Sequence, residues 1–284
     1  MEMIRTRDGL RTACGEARSR GATVGFVPTM GFLHEGHRSL LARARAETGF
    51  VAMSVFVNPL QFGPAEDLAA YPRDLYRYAG MARDVGVVSL FAPPEEEMYP
   101  AGRPVVTVDP GPLGEVLEGA SRPGHFRGVC TVVAKLLSLA GPCRAYFGEK
   151  DAQQLAVIRR MAADLDLPAE VVACATVREP DGLALSSRNV YLSAQERRAA
   201  TSLSAALAAA VRLVERGEGD VNVLRAEMAR RIGAEPLAAI DYVAVVDEST
   251  FEEVVELAGP ARAVVAARVG PARLIDTMAL PGGA

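Results

Sequence analysis

The first half of the chain alternates short apolar runs with longer segments of helical periodicity. The helical segments include "HEGHRSLLARARAE", "RDLYRYAGMARDVG" and "DAQQLAVIRRMAADLD". Around them lie the apolar runs "ATVGFVPT", "FVAMSVFVNP", "VVSLFAP", "CRAYFG" and "AEVVACATV". Continuous apolar runs of this length are typical of strands that are buried on both faces. The alternation therefore predicts an α/β fold, with a mostly parallel sheet covered by helices on both faces.

The pattern changes after about Arg178. A turn-rich stretch, "EPDGLALSSRN", leads into two helical segments, and the strand-like runs "AIDYVAVVD", "ARAVVAARVG" and "ARLIDTMAL" follow. Helices followed by a few strands indicate a smaller α+β domain. We therefore predict one domain over residues 1–178 and a smaller one over residues 179–284.

Composition excludes several classes of function. The formal net charge is -4 and no run of five like charges occurs, which argues against broad binding to nucleic acid or to anionic membranes. No apolar stretch is long enough to span a bilayer, and "MEMIRTRDGL" lacks the apolar core of a signal peptide. The four cysteines show neither a C-x-x-C pair nor metal-ligand spacing. We interpret them as reduced thiols of a cytosolic protein that has no metal site of its own.

The segment "PTMGFLHEGHRSL" holds two of the three histidines, at the turn between a predicted strand and a predicted helix. The N-terminus of a helix attracts anions, and His34 and His37, at i and i+3, can donate hydrogen bonds to phosphate oxygens. Gly36 would let a nucleotide approach the backbone. Structural or metal-binding histidines are the alternative, although two ligands are too few for a catalytic zinc site. Neither usual phosphate-binding glycine loop follows the strand, so this turn is the predicted phosphate site.

Further polar residues follow other predicted strands, where ligands bind in parallel sheets. Asn58 and Gln61 come after "SVFV", and their amides can bind hydroxyl and carboxylate groups. The alternative is a simple turn around Asn58 and Pro59. Lys150, one of only two lysines, has Gln154 at i+4, on the same face of a predicted helix. The alternative for Lys150 is an ordinary surface ammonium group.

Two turn-rich segments carry hydroxyl groups and cations. "GLALSSRNVYLS" places Ser186 and Ser187 beside Arg188, a group suited to phosphate on a mobile loop, although helix or turn capping would use the same residues. "LEGASRPGHFRGV" contains Arg122 and the third histidine, His125. All three histidines therefore lie in candidate site segments.

Together these residues resemble one family, the pantoate–β-alanine ligases, also called pantothenate synthetases. The resemblance extends along essentially the whole chain. It depends on seven segments in the family's order: "PTMGFLHEGH", "FVNPLQF", "EDLAAYPR", "LEGASRPGHFRGV", "FGEKDAQQL", "DGLALSSRN" and "ARLID".

The resemblance implies a member of the HxGH nucleotidyltransferases, with a Rossmann-like N-terminal domain and a smaller C-terminal lid domain. It implies a cytoplasmic homodimer that makes pantothenate from pantoate, β-alanine and ATP, with Mg²⁺. The reaction would pass through a pantoyl-adenylate and release pyrophosphate and AMP. A field of positive charge from the histidines, Lys150 and Arg188 would stabilise the reacting phosphate.

The resemblance also assigns residues by position. The catalytic set is His37, His34, Lys150 and Arg188. Pantoate and β-alanine would contact Gln61, pantoate would contact Gln154, and Asn58 and Arg122 are further substrate-binding positions. Phe32 stands where relatives often have Ala or Asn, and Arg38, Leu60 and Ala152 also depart from the usual residues. The ATP-binding set is Met30, Gly31, Phe32, Leu33, His34, Glu35, Gly36, His37, Gly148, Glu149, Lys150, Asp151, Val177, Leu185, Ser186, Ser187 and Arg188.

Two other functions remain open at this point. Another HxGH nucleotidyltransferase would share "HEGH" but would release a nucleotide-bearing product, and it does not explain Gln61 and Gln154. A non-catalytic nucleotide-binding protein would bind ATP without turnover, which the retention of both histidines, Lys150 and Arg188 disfavours.

Overall fold

The computed structural model describes residues 1–63, 68 and 74–282. Within these residues the chain forms a six-stranded parallel sheet and a three-stranded antiparallel sheet. The parallel strands are β1 (Glu2–Ile4), β2 (Val24–Thr29), β3 (Phe50–Val55), β4 (Ser89–Phe91), β5 (Cys143–Gly148) and β6 (Ala169–Cys174). The antiparallel strands are β7 (Ala238–Asp247), β8 (Ala261–Val269) and β9 (Ala272–Ala279).

Helices connect and cover these strands. The α-helices are α1 (Arg7–Ser19), α2 (Glu35–Glu47), α3 (Leu75–Val85), α4 (Glu95–Met98), α5 (Glu118–Ser121), α6 (His125–Ala140), α7 (Ala152–Asp164), α8 (Ala194–Glu215) and α9 (Val221–Gly233). Short 3-10 turns occupy Pro59–Gln61, Gly111–Gly114, Glu149–Asp151 and Ser187–Tyr191. Of the family segment "EDLAAYPR", Leu68 is the one residue inside the described part of the chain.

The large sheet has the strand order β1-β4-β3-β2-β5-β6. From β2 the chain builds β3 and β4 on one side, and it then returns to place β5 on the other side of β2. The order therefore reverses between β2 and β5. In open parallel sheets, ligands bind at the carboxyl ends of the strands beside such a reversal.

Helices bury both faces of the sheet. Phe26 and Val27 are neighbours in β2 and point to opposite faces, yet both are fully buried. Val27 packs in one cluster with Leu41 of α2 and Tyr78 of α3, while α1 and α6 contact each other and β2. The predicted α/β class with a parallel sheet covered on both faces is confirmed.

Strand β1 and helix α1 were not predicted from the sequence. β1 has three residues, of which only Ile4 is buried, so it carries too little periodicity to be recognised. It lies at the sheet edge, paired with β4. The turn after the run "ATVGFVPT" therefore follows the second strand of the structure rather than the first.

Two compact units divide the chain by contacts: Met1–Gly148 with Val157–Cys174, and Glu149–Ala156 with Ala175–Ala284. The sequence placed a single boundary between residues 178 and 179. The turn Glu149–Asp151 groups with the second unit because it contacts β9, a relation that local sequence does not reveal. The functional roles predicted for the two domains stay predictions.

In the second unit, α8 and α9 pack together beside the antiparallel sheet. Leu203 and Leu207 of α8 are buried in one cluster with Leu224 of α9 and Val265 of β8. The Ala/Leu-rich part of α8 is thus core of this unit. None of the helices in the described part of the chain combines the length and the apolarity that a bilayer-spanning segment requires.

Candidate active site

The turn after β2 is held in an unusual backbone conformation. The Thr29 hydroxyl donates to the Ser54 carbonyl at 2.7 Å and accepts the Gly31 N–H at 3.3 Å. Gly31 has φ +98°, and a Cβ there would lie 2.8 Å from the Tyr78 ring. Phe32 follows with φ +50°, a left-handed conformation that Asn adopts more readily than Phe. The turn therefore requires glycine at position 31 and carries strain at Phe32.

His34 and His37 cap the start of α2 with their rings. His34 is the N-cap residue, and its Nδ1 accepts the Gly36 N–H at 3.1 Å. The His37 Nδ1 accepts the His34 N–H at 3.3 Å, and the two ring centroids are 4.2 Å apart. A ring nitrogen that accepts a hydrogen bond carries no proton, so each neutral ring bears its proton on Nε2.

This geometry changes the expectation that the backbone N–H groups at the start of α2 bind the phosphate. The backbone N–H groups of His34 and Gly36 donate to the histidine rings, so the ring Nε2–H groups are the donors that suit a phosphate. In this arrangement each ring offers a hydrogen-bond donor through Nε2, and the positive charge predicted for the histidines stays a prediction. Lys150 and Arg188 also supply positive charge in the candidate set.

The histidine turn lies where the fold favours a ligand. It follows β2 directly, and β2 pairs with β5 at the point where the strand order reverses. Gly148 is the last residue of β5 and thus ends the neighbouring strand at the same edge of the sheet. The sequence prediction placed both segments at strand ends, and the topology makes these two strands neighbours.

Asn58 and Gln61 form a buried polar network after β3. Asn58 is fully buried and Gln61 is 6% exposed. The Asn58 Nδ2 donates to Gln61 Oε1 and to the Gly128 carbonyl, both at 3.0 Å. The Tyr99 hydroxyl donates to Asn58 Oδ1 at 2.7 Å. The structure therefore brings the two predicted amides together, and it adds Tyr99, which the sequence did not single out.

The start of α6 packs closely against the backbone of the turn Pro59–Gln61. A Cβ on Gly128 would lie 2.3 Å from the Leu60 carbonyl oxygen, so only glycine permits this approach of helix and turn. The half-buried Arg122 guanidinium lies 3.0 Å from His125 Nε2, and His125 Nδ1 lies 2.9 Å from the Gln61 carbonyl oxygen. Because a carbonyl only accepts and a guanidinium only donates, the proton of this ring lies on Nδ1.

Lys135 of α6 lies near the same network. Its ammonium is 5.7 Å from the centre of the Tyr99 ring, within range of a cation–π interaction. Burial, with a smaller effect of the Arg7 charge, lowers the pKa of Lys135. Lys135 is thus linked through Tyr99 to the Asn58 amide.

Lys150 lies in the 3-10 turn Glu149–Asp151, before α7 begins at Ala152. The predicted i,i+4 relation of Lys150 and Gln154 is therefore wrong, because α-helical spacing applies only from Ala152 onwards. The Lys150 side chain is 18% exposed, and its ammonium is 3.7 Å from the Asp151 carboxylate. Gln154 is half-buried on the first turn of α7.

A buried arginine of β8 anchors this turn. Arg262 is 4% exposed and pairs with Glu248 at 2.5 Å and with Glu149 at 3.6 Å. Two carboxylates thus offset one buried guanidinium, which makes its burial tolerable. No local motif distinguishes Arg262 in the sequence, so its contact with the turn was not predicted.

The second unit contains a small cleft whose lining includes three cations. Lys150, Ser186, Arg188 and Arg273 line it, together with Asp276. The Arg188 guanidinium donates to the Arg273 carbonyl at 3.4 Å. Arg273 is paired with Asp241 and Asp276 is paired with Arg178, so Lys150 and Arg188 are the lining cations best placed to pair with an anion.

Hydrogen bonds fix the segment that leads to this cleft. Arg178 makes a two-pronged ion pair with the buried Asp276, with distances of 2.7 and 3.0 Å. The Leu185 N–H donates to the Val177 carbonyl at 2.9 Å. The Ser186 hydroxyl accepts the Arg188 N–H at 3.2 Å, as in the capping alternative. Four predicted ATP-binding residues, Val177, Leu185, Ser186 and Arg188, are therefore organised in one segment.

A model of the pantoate-beta-alanine ligase family matches residues 2–279. The chain belongs to this family. The pantothenate synthetase of Heliobacterium modesticaldum is 58% identical over 263 residues, which cover 93% of each chain. That of Roseiflexus sp. strain RS-1 is 54% identical over 280 residues, covering 99% of each.

Solved structures of pantothenate synthetases share the fold. The crystal structure of pantothenate synthetase from Thermus thermophilus aligns with a TM-score of 0.92 at 50% identity, covering 99% of this chain and 100% of that one. Pantoate-beta-alanine ligase from Francisella tularensis, complexed with beta-gamma ATP and beta-alanine, aligns with a TM-score of 0.78 at 31% identity. That alignment covers 98% of this chain and 97% of the other. The predicted family, and with it an ATP-dependent enzyme that forms pantothenate, is confirmed.

Proposed function

We propose that this pantoate–β-alanine ligase activates pantoate as an adenylate before β-alanine is joined to it. This proposal rests on the hydrogen bonding of His34 and His37. Each ring accepts a backbone N–H on Nδ1 and so bears a proton on Nε2, from which it can donate to a phosphate. Donors of this kind suit a reaction in which the substrate itself is the nucleophile.

In the first step, a carboxylate oxygen of pantoate attacks the α-phosphorus of ATP. A new O–P bond forms, the bond to the β-phosphate bridging oxygen breaks, and pyrophosphate leaves with its electron pair. Negative charge grows on the α-phosphate oxygens. Nε2–H groups of His34 and His37 donate to that charge, while Lys150 and Arg188 supply fixed positive charge to the phosphates.

In the second step, the amine of β-alanine attacks the acyl carbon of the adenylate. The amide bond forms, the acyl C–O bond breaks, AMP leaves carrying the former carboxylate oxygen, and the proton lost by the amine passes to solvent. Neither step needs a nucleophile from the protein. The four cysteines agree with this, because all of them are buried thiols, and burial raises the pKa of Cys14 to about 11.

Gln61, Gln154 and Arg122 are proposed to recognise the small acids, and the fully buried Asn58 is proposed to contribute through its hydrogen bond to Gln61. The Gln61 Oε1 already accepts from Asn58, so its Nε2–H₂ is the group available to a substrate oxygen. Arg122 is held beside His125 in the same network. Carboxylate and hydroxyl oxygens of pantoate are acceptors of the right kind for such donors.

Mg²⁺ is proposed to arrive on the phosphates of ATP. Among the residues that the structure describes, no group of three or more His, Cys, Asp or Glu side chains could enclose a metal ion. Mg²⁺ usually keeps several waters and binds through substrate phosphates, so a protein cage is not required. When bound, the ion would neutralise charge on the phosphates.

The family resemblance also supports a homodimer, a cytoplasmic location and a lid role for residues 179–284. Buried thiols in place of disulfides agree with a reducing compartment. A lid would keep water from the mixed anhydride until β-alanine binds. Sedimentation of the purified protein and cell fractionation test the first two assignments.

Product analysis tests the reaction itself. Purified protein is incubated with Mg-ATP, pantoate and β-alanine, and each substrate is omitted in turn. Pantothenate and AMP are expected only in the complete mixture. Formation of ADP would place the attack at the γ-phosphate and refute the adenylate, and a stable nucleotide-bearing product would indicate another HxGH nucleotidyltransferase.

A further inference from the structure

The orientation of the Asn58 amide is fixed by four hydrogen bonds. Its Oδ1 accepts the Tyr99 O–H at 2.7 Å and the Leu60 N–H at 3.3 Å. Its Nδ2 donates to Gln61 Oε1 and to the Gly128 carbonyl. Turning the amide over would place its N–H₂ group against a backbone N–H and would leave two acceptors facing an oxygen, so only one orientation is stable.

The Asn58 amide in turn fixes Gln61. Because Gln61 Oε1 accepts from Asn58, the Gln61 N–H₂ group points the other way, where its partner is the Met30 sulfur at 2.9 Å. A thioether is a weak acceptor. The Gln61 donor is therefore held in place and is satisfied only weakly, as expected for a group that will bind a substrate oxygen.

Tyr99 lies at the buried end of this chain of hydrogen bonds. It is 5% exposed, and its ring packs edge-on against Phe56 with centroids 5.9 Å apart. Burial, with a smaller effect of the Glu95 charge, raises the pKa of its hydroxyl well above the usual value. The hydroxyl therefore stays protonated and keeps donating to Asn58 throughout the neutral range.

We propose that Tyr99 is a positioning residue for the small-acid substrate: its hydroxyl proton orients Asn58, and Asn58 orients the Gln61 amide so that Nε2 faces the substrate. This inference rests on the proposed role of Gln61 in binding pantoate. Tyr99 itself touches neither the substrate nor the reacting atoms in this account. Its effect should reach the Michaelis constant for pantoate through Gln61.

Tyr99→Phe removes this hydroxyl and keeps the ring. The variant should raise the KM for pantoate about fivefold, the factor expected for one lost neutral hydrogen bond, with the KM for ATP unchanged. Tyr146→Phe is the control, because it removes the hydroxyl of another buried tyrosine, which donates to Glu47 elsewhere in the same unit. Equal changes in pantoate KM from both variants, or none from Tyr99→Phe, would overturn the inference.

A double-mutant cycle separates positioning from general destabilisation. In a Gln61→Ala background, Tyr99→Phe should have no further effect on pantoate KM, because the amide that it orients is gone. If Tyr99→Phe still raised pantoate KM to the same extent in the Gln61→Ala background, the Tyr99 hydroxyl would not act through Gln61. If Gln61→Ala alone leaves pantoate KM unchanged, the proposed role of Gln61 fails, and this result is distinct from a failure of Tyr99→Phe alone.

Asn58→Asp gives a second test if Tyr99→Phe does not fold. The carboxylate keeps the acceptor for Tyr99 but faces Gln61 Oε1 with another acceptor, so the Gln61 amide should turn over and withdraw Nε2 from the substrate. The variant should raise pantoate KM at least as much as Tyr99→Phe is expected to, with ATP KM unchanged. An unaltered pantoate KM in a folded Asn58→Asp protein would refute the proposal that Asn58 orients the Gln61 amide.

Discussion

Two histidine rings determine how the turn after β2 can act on a phosphate. The motif predicted phosphate chemistry from its position at a strand-to-helix turn, but sequence could not assign the ring protons. Those depend on two backbone N–H groups that the folded turn directs at Nδ1 of His34 and His37. The structure thus adds to the predicted histidine donors which nitrogen of each ring can donate.

His37→Asn and His37→Ala should separate catalysis from capping. Asparagine can still accept the His34 N–H, whereas alanine cannot, so only His37→Ala should lose the cap, which is worth about 1 kcal/mol. Both lack the Nε2–H donor and should lower the rate of adenylate formation by about 10²–10³. Thermal unfolding and single-turnover kinetics measure the two effects, and near-normal turnover by folded His37→Asn would remove the role of Nε2.

Lys150→Ala should impair ATP-dependent chemistry far more than it impairs folding. The ammonium lines the cleft of the second unit, where a phosphate would compete with Asp151 as its partner. Arg160→Ala is the control, because Arg160 pairs with Asp164 at an exposed position of α7. The steady-state kinetic constants for ATP should change in Lys150→Ala and not in Arg160→Ala. Similar losses in both variants would contradict the assignment of Lys150 to the phosphates.

At the scale of elements, the contact between α6 and the turn Pro59–Gln61 supports the small-acid site. Gly128 lies 67 positions after Gln61 in the chain, so no local pattern could reveal that its missing side chain makes room for that turn. The same applies to Tyr99 and Arg262, which act through partners distant in sequence. Strands and helices were predictable from periodicity, whereas contacts between them were not.

Gly128→Ala should disturb this contact. The added methyl group would lie 2.3 Å from the Leu60 carbonyl oxygen, so helix and turn must move apart, and the protein should lose about 1–3 kcal/mol of stability. Pantoate KM should rise because Gln61 moves with the turn. Gly80→Ala in α3 is the control, since its Cβ meets nothing within 4 Å and helix propensity should raise stability by about 0.5–1 kcal/mol. Denaturant unfolding that ranked both variants alike would refute the packing argument.

At the scale of the whole molecule, the parallel sheet and the family were predictable because each depends on patterns spread along the entire chain. The boundaries of the two units were harder to predict, because the turn Glu149–Asp151 groups with β9, which lies far from it in the sequence. The loop after β6 is also more fixed than a turn-rich sequence suggests. Arg178 and Leu185 are both hydrogen-bonded within the second unit.

Hydrogen exchange should show which part of this loop responds to ligand. The amides of Glu179 and Leu185 donate to backbone carbonyls and should exchange slowly even without ATP. The Arg188 amide donates to the Ser186 hydroxyl, at an exposed position, and should gain protection with Mg-ATP and pantoate. That gain should be much smaller in Arg188→Ala than in a control such as Arg198→Ala in α8. Slow, ligand-independent exchange at Arg188 in the wild type would mean that the loop does not respond to substrates.

The central claim is that a carboxylate oxygen of pantoate attacks the α-phosphate of ATP, and oxygen labelling tests it most directly. Pantoate labelled with ¹⁸O in both carboxylate oxygens is converted to completion with unlabelled ATP and β-alanine, and the products are analysed by mass spectrometry. One labelled oxygen should appear in AMP and one should remain in the amide carbonyl of pantothenate. Unlabelled AMP, or label in inorganic phosphate, would contradict the account.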